Sequence, residues 1–394
     1  MNQKKSILQS LPFRLFIGLI GGLLIGQWAN EAVIGVIDVI RGILGDLVGY
    51  IVPFIILGFI TPAIVALKEN AGKTLAITLL ICYLSSVGAA SFSFLSGKII
   101  IPHLNIGSSM GEAVALPDRL FELSIEPIMP VMTALITAVF IGLAVLWTKS
   151  KYFEILLNEW NEIVLAIVNK IVIRFLPFYI AATFAVLAYE GQIIRELPVF
   201  IKVLLIVILG HYLWLTLLYA IGGFLSKTNP IRVLKHYGPA YLTALGTMSS
   251  AATLPVSIQC ASKADTLDPD IRDFCIPLCS NTHLCGSVLT ETFFVMVVSQ
   301  ILYGKLPESS SMILFILLLG IFAIAAPGVP GGTVVASLGL IITVLGFDEV
   351  GTALMLSIFA LQDSFGTACN ITGDGAIALM VTGIMKKVPR RTKI

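Results

Sequence analysis

The chain of 394 residues is 57% hydrophobic and 12% charged, with a net charge of +2 and a mean hydropathy of +0.97. Water-soluble domains carry about 25% charged residues, so a soluble enzyme, a disordered tail and a secreted disulfide scaffold are excluded. A net charge this small offers no nucleic-acid surface. The apolar runs are long and continuous, not alternating, which excludes an outer-membrane barrel and indicates an all-α polytopic membrane protein.

A basic tip, MNQKK, precedes the first apolar run, Leu11–Trp28. Its apolar character continues into further spans, so it reads as a transmembrane helix and not as a cleaved signal. Residues 33–67 exceed the roughly 20 residues of a perpendicular span, so a tilt or a kink near Pro53 is expected. Further spans are expected at residues 73–94, 128–147, 153–189 and 199–225. Lys4 and Lys5, Lys68 and Lys73, Lys149 and Lys151, and Lys227, Arg232 and Lys235 fall at alternate ends of these segments. If each crosses once they share one side, which is the cytoplasmic one. The opposite side keeps Lys98, Arg119 and Arg195. The tail at residues 388–394 is basic as well, so both termini are expected in the cytoplasm. Charges such as Asp38, Arg41, Asp46, Glu154, Glu159 and Glu162 read as interfacial anchors or ion pairs.

Beyond residue 240 the pattern changes. TMSSAATLPVSIQCA at 247–261 is small, hydroxyl-rich and broken by Pro255; AAPGVPGGTVVAS at 325–337 holds two prolines and three glycines. Each precedes a longer helix with its own polar interruption, SNTHLCGS at 280–287 and TACNITGD at 367–374. A broken hairpin followed by a broken helix, occurring twice, is the organisation of an inverted-repeat transporter with its site near the midplane. The first hairpin is expected to enter from the cytoplasm and the second from outside. Full crossings at about residues 269–302 and 350–387 then give about eight transmembrane helices plus two re-entrant hairpins. The six cysteines lie in apolar surroundings and read as small packing groups; no zinc spacing surrounds His283.

SSAATLP at 249–255, GVPGG at 328–332 and NITGD at 370–374 resemble the first hairpin, second hairpin and final helix of the dicarboxylate/amino acid:cation symporters. That family includes the archaeal aspartate transporters and the mammalian glutamate transporters. SSAA at 249–252 and LQDS at 361–364 look most like its bacterial sodium/serine–threonine symporter branch. The motifs cover residues 240–387; the first half resembles the family in architecture only. The resemblance implies a homotrimer in the cell inner (plasma) membrane. Residues 1–240 would be mainly scaffold, with the third and sixth spans joining a transport core at 241–387, which moves like an elevator.

Asp363 lies inside the last apolar helix, where a carboxylate costs about 2.5–3.5 kcal/mol. Between Arg272 and Lys386 the only Lys or Arg is Lys305, in a loop. The resemblance gives Asp363 the substrate ammonium. Thr367, Asn370 and Asp374 follow it by four, seven and eleven residues, on one helical stripe. In the family the asparagine contacts substrate and the aspartate coordinates sodium, so Asn370 and Asp374 are the expected sodium ligands; an interhelical hydrogen bond is the other reading of Asn370. Ser249 and Ser250, at the start of a short helix, are placed to meet a substrate carboxylate or to act as caps. The second tip, with Val329 and Gly331 as expected substrate contacts, is the natural gate.

Departures from the family narrow the function. Where acidic-amino-acid transporters carry an arginine, this chain has Gly366 or Met248, so a second substrate carboxylate would lack a partner. The family's N-M-D-G-T reads H-L-C-G-S at 283–287, so at least one cation site is expected to be lost. Glu291 matches the glutamate that carries a proton in mammalian relatives; with His283 it is a proton-coupling candidate, or else a packing residue bonded to a neighbouring helix. Tyr83, Ser85 and Ser86 face the same region by a weaker likeness. The expected function is a symporter for a small neutral amino acid, serine- or threonine-like, with sodium favoured over a proton and no resident cofactor. A proton-coupled amino acid or dicarboxylate transporter and an anion channel are the alternatives. No GxSxG-like elbow supports an enzyme.

Overall fold

A computed structural model describes residues 11–66, 73–104, 106, 116–117, 121, 123 and 125–386. Lys4, Lys5, Lys68, Arg119 and the basic tail lie outside the described residues. The helices are α1 (Leu11–Trp28), α2 (Glu31–Ala66), α3 (Lys73–Ile100), α4 (Val131–Thr148), α5 (Lys151–Ile167), α6 (Ile173–Tyr189), α7 (Gln192–Ser226) and the short α8 (Ile231–Leu234). They continue as α9 (Gly238–Thr247), α10 (Ser250–Ser262), α11 (Pro269–Thr282), α12 (Cys285–Tyr303), α13 (Ser309–Ala325), α14 (Gly332–Thr343) and α15 (Glu349–Lys386). Among the described residues there is no strand.

Six rods are long and apolar enough to cross a membrane: α2, α3, α5 joined to α6, α7, α11 joined to α12, and α15. Helices α1 and α4, of 18 residues each, bring the crossings to the expected eight. The pairs α9–α10 and α13–α14 are the two hairpins. The long α2 carries Pro53 and Pro62 within it, and α5 passes into α6 through a π turn at Val168–Val172. Helix α3 continues to Ile100, past the expected end at 94.

One expectation is corrected. The first broken helix is present, because α11 ends at Thr282 and α12 begins at Cys285. The second is not: α15 runs unbroken through 367–374. Its polar residues leave the helical ladder intact, Thr372 bonding back to the Ala368 carbonyl at 2.8 Å. Its glycines serve close approach, not a break. A Cβ on Gly373 would come within 2.8 Å of the His283 ring, and one on Gly375 within 2.6 Å of the Tyr219 hydroxyl.

Packing sorts the helices into two groups. Helix α2 packs on α4, α5 and α6, and α1 lies along α6. Helices α3 and α7 instead pack with α12 and α15. The apolar windows of α11–α12 and α15 are 94% and 89% buried within the chain, against 33–67% for the other rods, so these two form the centre. A buried ion pair, Asp38 with Arg41 at 2.5 Å, sits one turn apart on α2.

The α1–α6 contact rests on Gly18, Gly22 and Gly26, a small-residue stripe of the kind that lets membrane helices approach closely. A Cβ at Gly18 would meet the Pro177 carbonyl oxygen at 2.5 Å; at Gly22 and Gly26 it would press even closer on the Ala181 and Ala185 oxygens. Gly22→Val is therefore expected to destabilise the protein by about 1–3 kcal/mol, read as a lower unfolding midpoint in detergent. Gly21→Val, where no atom lies within 4 Å, should leave that midpoint in place.

Candidate functional site

The break between α11 and α12 organises the site. His283 and Leu284 leave helical geometry, and Leu284 offers no side-chain cap to the first amides of α12. Those amides are buried, and unsatisfied donors at membrane depth are costly. Asn370 of α15 supplies the missing acceptor. Its Oδ1 accepts from Gly286 N at 2.7 Å and Ser287 N at 3.2 Å, while its Nδ2 donates to Ser287 Oγ at 2.9 Å. One side chain thus caps α12 from a neighbouring helix.

One turn on, Asp374 Oδ1 meets His283 Nδ1 at 3.0 Å, and His283 Nε2 lies 2.9 Å from Ser85 Oγ on α3. His283 and Asp374 are fully buried, and Asp374 Oδ2 has no hydrogen-bond partner among the described residues. Glu291, also fully buried, accepts a short hydrogen bond from Ser337 of α14, and its Oε2 has no such partner. Ser86 is buried nearby on α3, whereas Tyr83 donates to the Leu317 carbonyl, away from this chain.

The hairpin tips touch each other. Ser249 caps α10, accepting from Ala252 N at 3.2 Å, and its hydroxyl donates to the Gly328 carbonyl at 2.8 Å. Ala251 N reaches the same carbonyl at 3.2 Å. Gly331 turns the second tip with φ +69° and donates its amide to Asp363 Oδ2 at 2.7 Å. A β-carbon is strained at that φ, which explains the glycine.

Beneath the tips lies a small, partly open cavity. The expected site residues Ser250, Val329, Asp363, Thr367 and Asn370 line it, together with Met248, Leu284, Ser287 and Thr333. Ser249 and Gly331 are not in the wall; they hold the tips above it. Asp374, His283 and Glu291 sit behind the wall, in the helix contacts just described. No cationic side chain lines the cavity, and the side-chain space at Gly366 abuts Ser287 at 3.5 Å. Ser337 and Thr333 carried no sequence signal apart from their place in the second hairpin. His211 did carry one, because an ionisable residue in an apolar span marks function by default. Its Nε2 contacts Gly286 O at 3.1 Å and Thr290 Oγ1 at 2.9 Å. All six cysteines are free and buried, and Cys82 and Cys279 touch at 3.8 Å between α3 and α11.

Asn370→Leu strands two buried amides, each worth about 1–3 kcal/mol when unsatisfied, so a loss of about 2–5 kcal/mol is expected in detergent unfolding. Thr372→Val removes only a bond to its own helix and should cost far less in the same measurement.

Residues 11–384 match the model of a family described as the sodium:dicarboxylate symporter family. The chain is 26% identical to excitatory amino acid transporter 2 of Homo sapiens over 234 residues, 58% of this chain and 40% of that protein. It is 26% identical to excitatory amino acid transporter 3 of Bos taurus over 249 residues, 62% and 46% of the two chains. Excitatory amino acid transporter 3 of Mus musculus is 29% identical over 204 residues, 51% and 37%. The aligned stretch spans less than half the length of each of these relatives. Eight apolar crossings, two hairpins meeting over a polar cavity and a family match along almost the whole chain lead to one conclusion: this multi-pass membrane protein belongs to the sodium:dicarboxylate symporter family, a family of transporters and not of enzymes.

Proposed function

We propose that the chain is a secondary active symporter that carries a small neutral amino acid across the membrane together with a cation. One observation carries the reading: a cavity has the Asp363 carboxylate in its wall and hydrogen-bond donors of the first hairpin at its tip. An α-amino acid presents the complementary pair, an ammonium and a carboxylate. A charge-assisted bond from the ammonium to the buried Asp363 is strong, and the N-terminus of α10 favours an anion. Ser250, Thr367 and Asn370 then frame the backbone of the substrate, and Val329 and Gly331 close over it. Ser287, Thr333 and Thr367 offer hydroxyl partners suited to a serine- or threonine-sized side chain. Nothing cationic stands at Gly366 or Met248 to compensate a second carboxylate.

Sodium is the favoured partner ion. Asp374 Oδ2 is a hard oxygen still open to a cation, whereas Asn370 Oδ1 already accepts two amides and contributes mainly by position. Each charge moved through 100 mV supplies about 2.3 kcal/mol, so one coupled ion suffices for a 40- to 50-fold gradient, at about 1.4 kcal/mol per factor of ten. Two buried titratable groups, Glu291 and His283, favour proton coupling as the second reading. We place α3, α7 and α9–α15 in a mobile transport domain, and α1, α2 and α4–α6 in the scaffold of a homotrimer. The two packing groups support this division, and the bonds joining α3 to His283 and α12 to α15 support its moving as a unit. The basic ends at Lys73, Lys149, Lys151, Lys227, Arg232 and Lys235 support an inner (plasma) membrane orientation with cytoplasmic termini.

Uptake by proteoliposomes, offered a panel of amino acids, tests the substrate. Serine or threonine should accumulate against a gradient, which an anion channel cannot produce, and aspartate should compete poorly. Asp363→Asn should weaken serine binding at least about 10-fold, since a hydrogen bond to a charged group contributes about 1.5–3 kcal/mol. Tighter binding of aspartate than of serine would defeat the neutral-substrate reading.

Imposing the two cation gradients separately identifies the driving ion. An inward sodium gradient at constant pH should drive serine uptake, Asp374→Asn should abolish it and Glu291→Gln should preserve it. Concentrative uptake on a proton gradient alone, lost in Glu291→Gln while binding persists, would replace sodium with the proton.

A further inference from the structure

His211 lies midway along α7 with 3% of its surface exposed, and no step of the proposed transport cycle uses it. A carbonyl oxygen can only accept, so the contact with Gly286 O means that Nε2 carries the proton. The same N–H points at Thr290 Oγ1, whose own hydroxyl donates to Gly286 O at 3.0 Å. Nδ1 has no partner among the described residues. The ring is therefore a single fixed donor, aimed at one peptide group.

That peptide belongs to the first turn of α12, which the break has deprived of a preceding turn to hold it. Gly286 is gripped from two sides: Asn370 of α15 takes its amide at 2.7 Å, and His211 of α7 takes its carbonyl at 3.1 Å. No side chain fits at this residue, because a Cβ would stand 2.5 Å from both Cys369 Cβ and the Gly366 carbonyl oxygen. The turn so fixed presents Leu284 and Ser287 to the cavity wall, and Ser287 also bonds Asn370. Any displacement of Gly286 moves these two lining residues together and disturbs the Ser287–Asn370 bond.

We propose that His211 is a positioning residue for the substrate cavity, holding the first turn of α12 against α15 through the Gly286 carbonyl. Its ring hydrogen-bonds to Gly286 and Thr290, which are not among the lining residues, and it acts through the backbone of α12. The proposal takes the cavity to be the amino acid site argued above. It also makes α7 part of the machinery that shapes that site, and not merely a wall around it.

The experiment compares full-length wild type, His211→Leu and His211→Gln, whose amide N–H can reach the same carbonyl. L-serine uptake in proteoliposomes and L-serine binding by calorimetry are measured, with amide hydrogen exchange of the peptide spanning residues 284–290. His211→Leu should raise KM and Kd about 10-fold, the equivalent of one lost hydrogen bond of about 1.4 kcal/mol. Vmax should change less than about twofold, and exchange should quicken about 10-fold in that peptide alone. His211→Gln should recover most of both effects. Wild-type KM and unchanged exchange in His211→Leu would overturn the proposal. So would equal impairment of both variants with a general loss of protection, which is the signature of bulk packing. If wild type binds no small neutral amino acid, the substrate reading fails by itself. The exchange comparison still decides the role of His211, because it needs no ligand.

Discussion

Backbone donors set free inside a bilayer must find acceptors within the protein, and here that requirement falls on the two peptide groups that open α12. Asn370 answers it with one oxygen, and the rest of the site is arranged around that bond. It fixes α12 against α15, sets Ser287 at the cavity wall, and leaves the chain immediately before the break to turn its imidazole toward Asp374. The interrupted helix is tolerated because an uninterrupted one lies beside it. Polar residues on α15 are consequently not signs of weakness in that helix. They are the acceptors and donors that its broken neighbour lacks.

The two aspartates on the same stripe have separate partners. Asp363 faces the hairpin tips and accepts an amide from Gly331; Asp374, three turns deeper, faces the broken helix and shares His283 with Ser85. Asn370 lies between them, bonded to α12. One helix face therefore serves a hairpin tip at one end and a helix junction at the other. Glu291 extends the pattern to the second hairpin, since its bond to Ser337 ties α12 to α14. Asp363 and Glu291 are thus both held by the second hairpin, and Asp374 by the junction of α11 with α12.

Hydropathy alone made the crossings legible, because twenty apolar residues in a row have few other uses. Proline and glycine in 325–337 marked the second tip for the same physical reason that Gly331 adopts positive φ there. The failure at 367–374 is instructive. That segment and 280–287 are alike in composition, yet only the latter breaks, because polar side chains can bond sideways to another helix as readily as they can replace a ladder bond. Which occurs depends on the neighbour, and a linear sequence does not name neighbours. Ser249 was legible as either cap or ligand, and its contact with Gly328 comes from a hairpin 79 residues away. The stripe of Gly18, Gly22 and Gly26 is visible in the sequence, but nothing in it identifies the α6 carbonyls it fits. His211 stood in plain view within an apolar span; its target, a single backbone oxygen, did not.

The contact between the hairpin tips bears on how the mouth of the cavity can move. Ser249 and Ala251 donate to the Gly328 carbonyl, and Asp363 accepts from the Gly331 amide. The protein's own carbonyl thereby occupies donors suited to an anion, and its own amide occupies an acceptor suited to an ammonium. A move of either tip must therefore break bonds to the other tip or to α15. The mouth of the cavity is latched as one piece and not hung as two independent flaps.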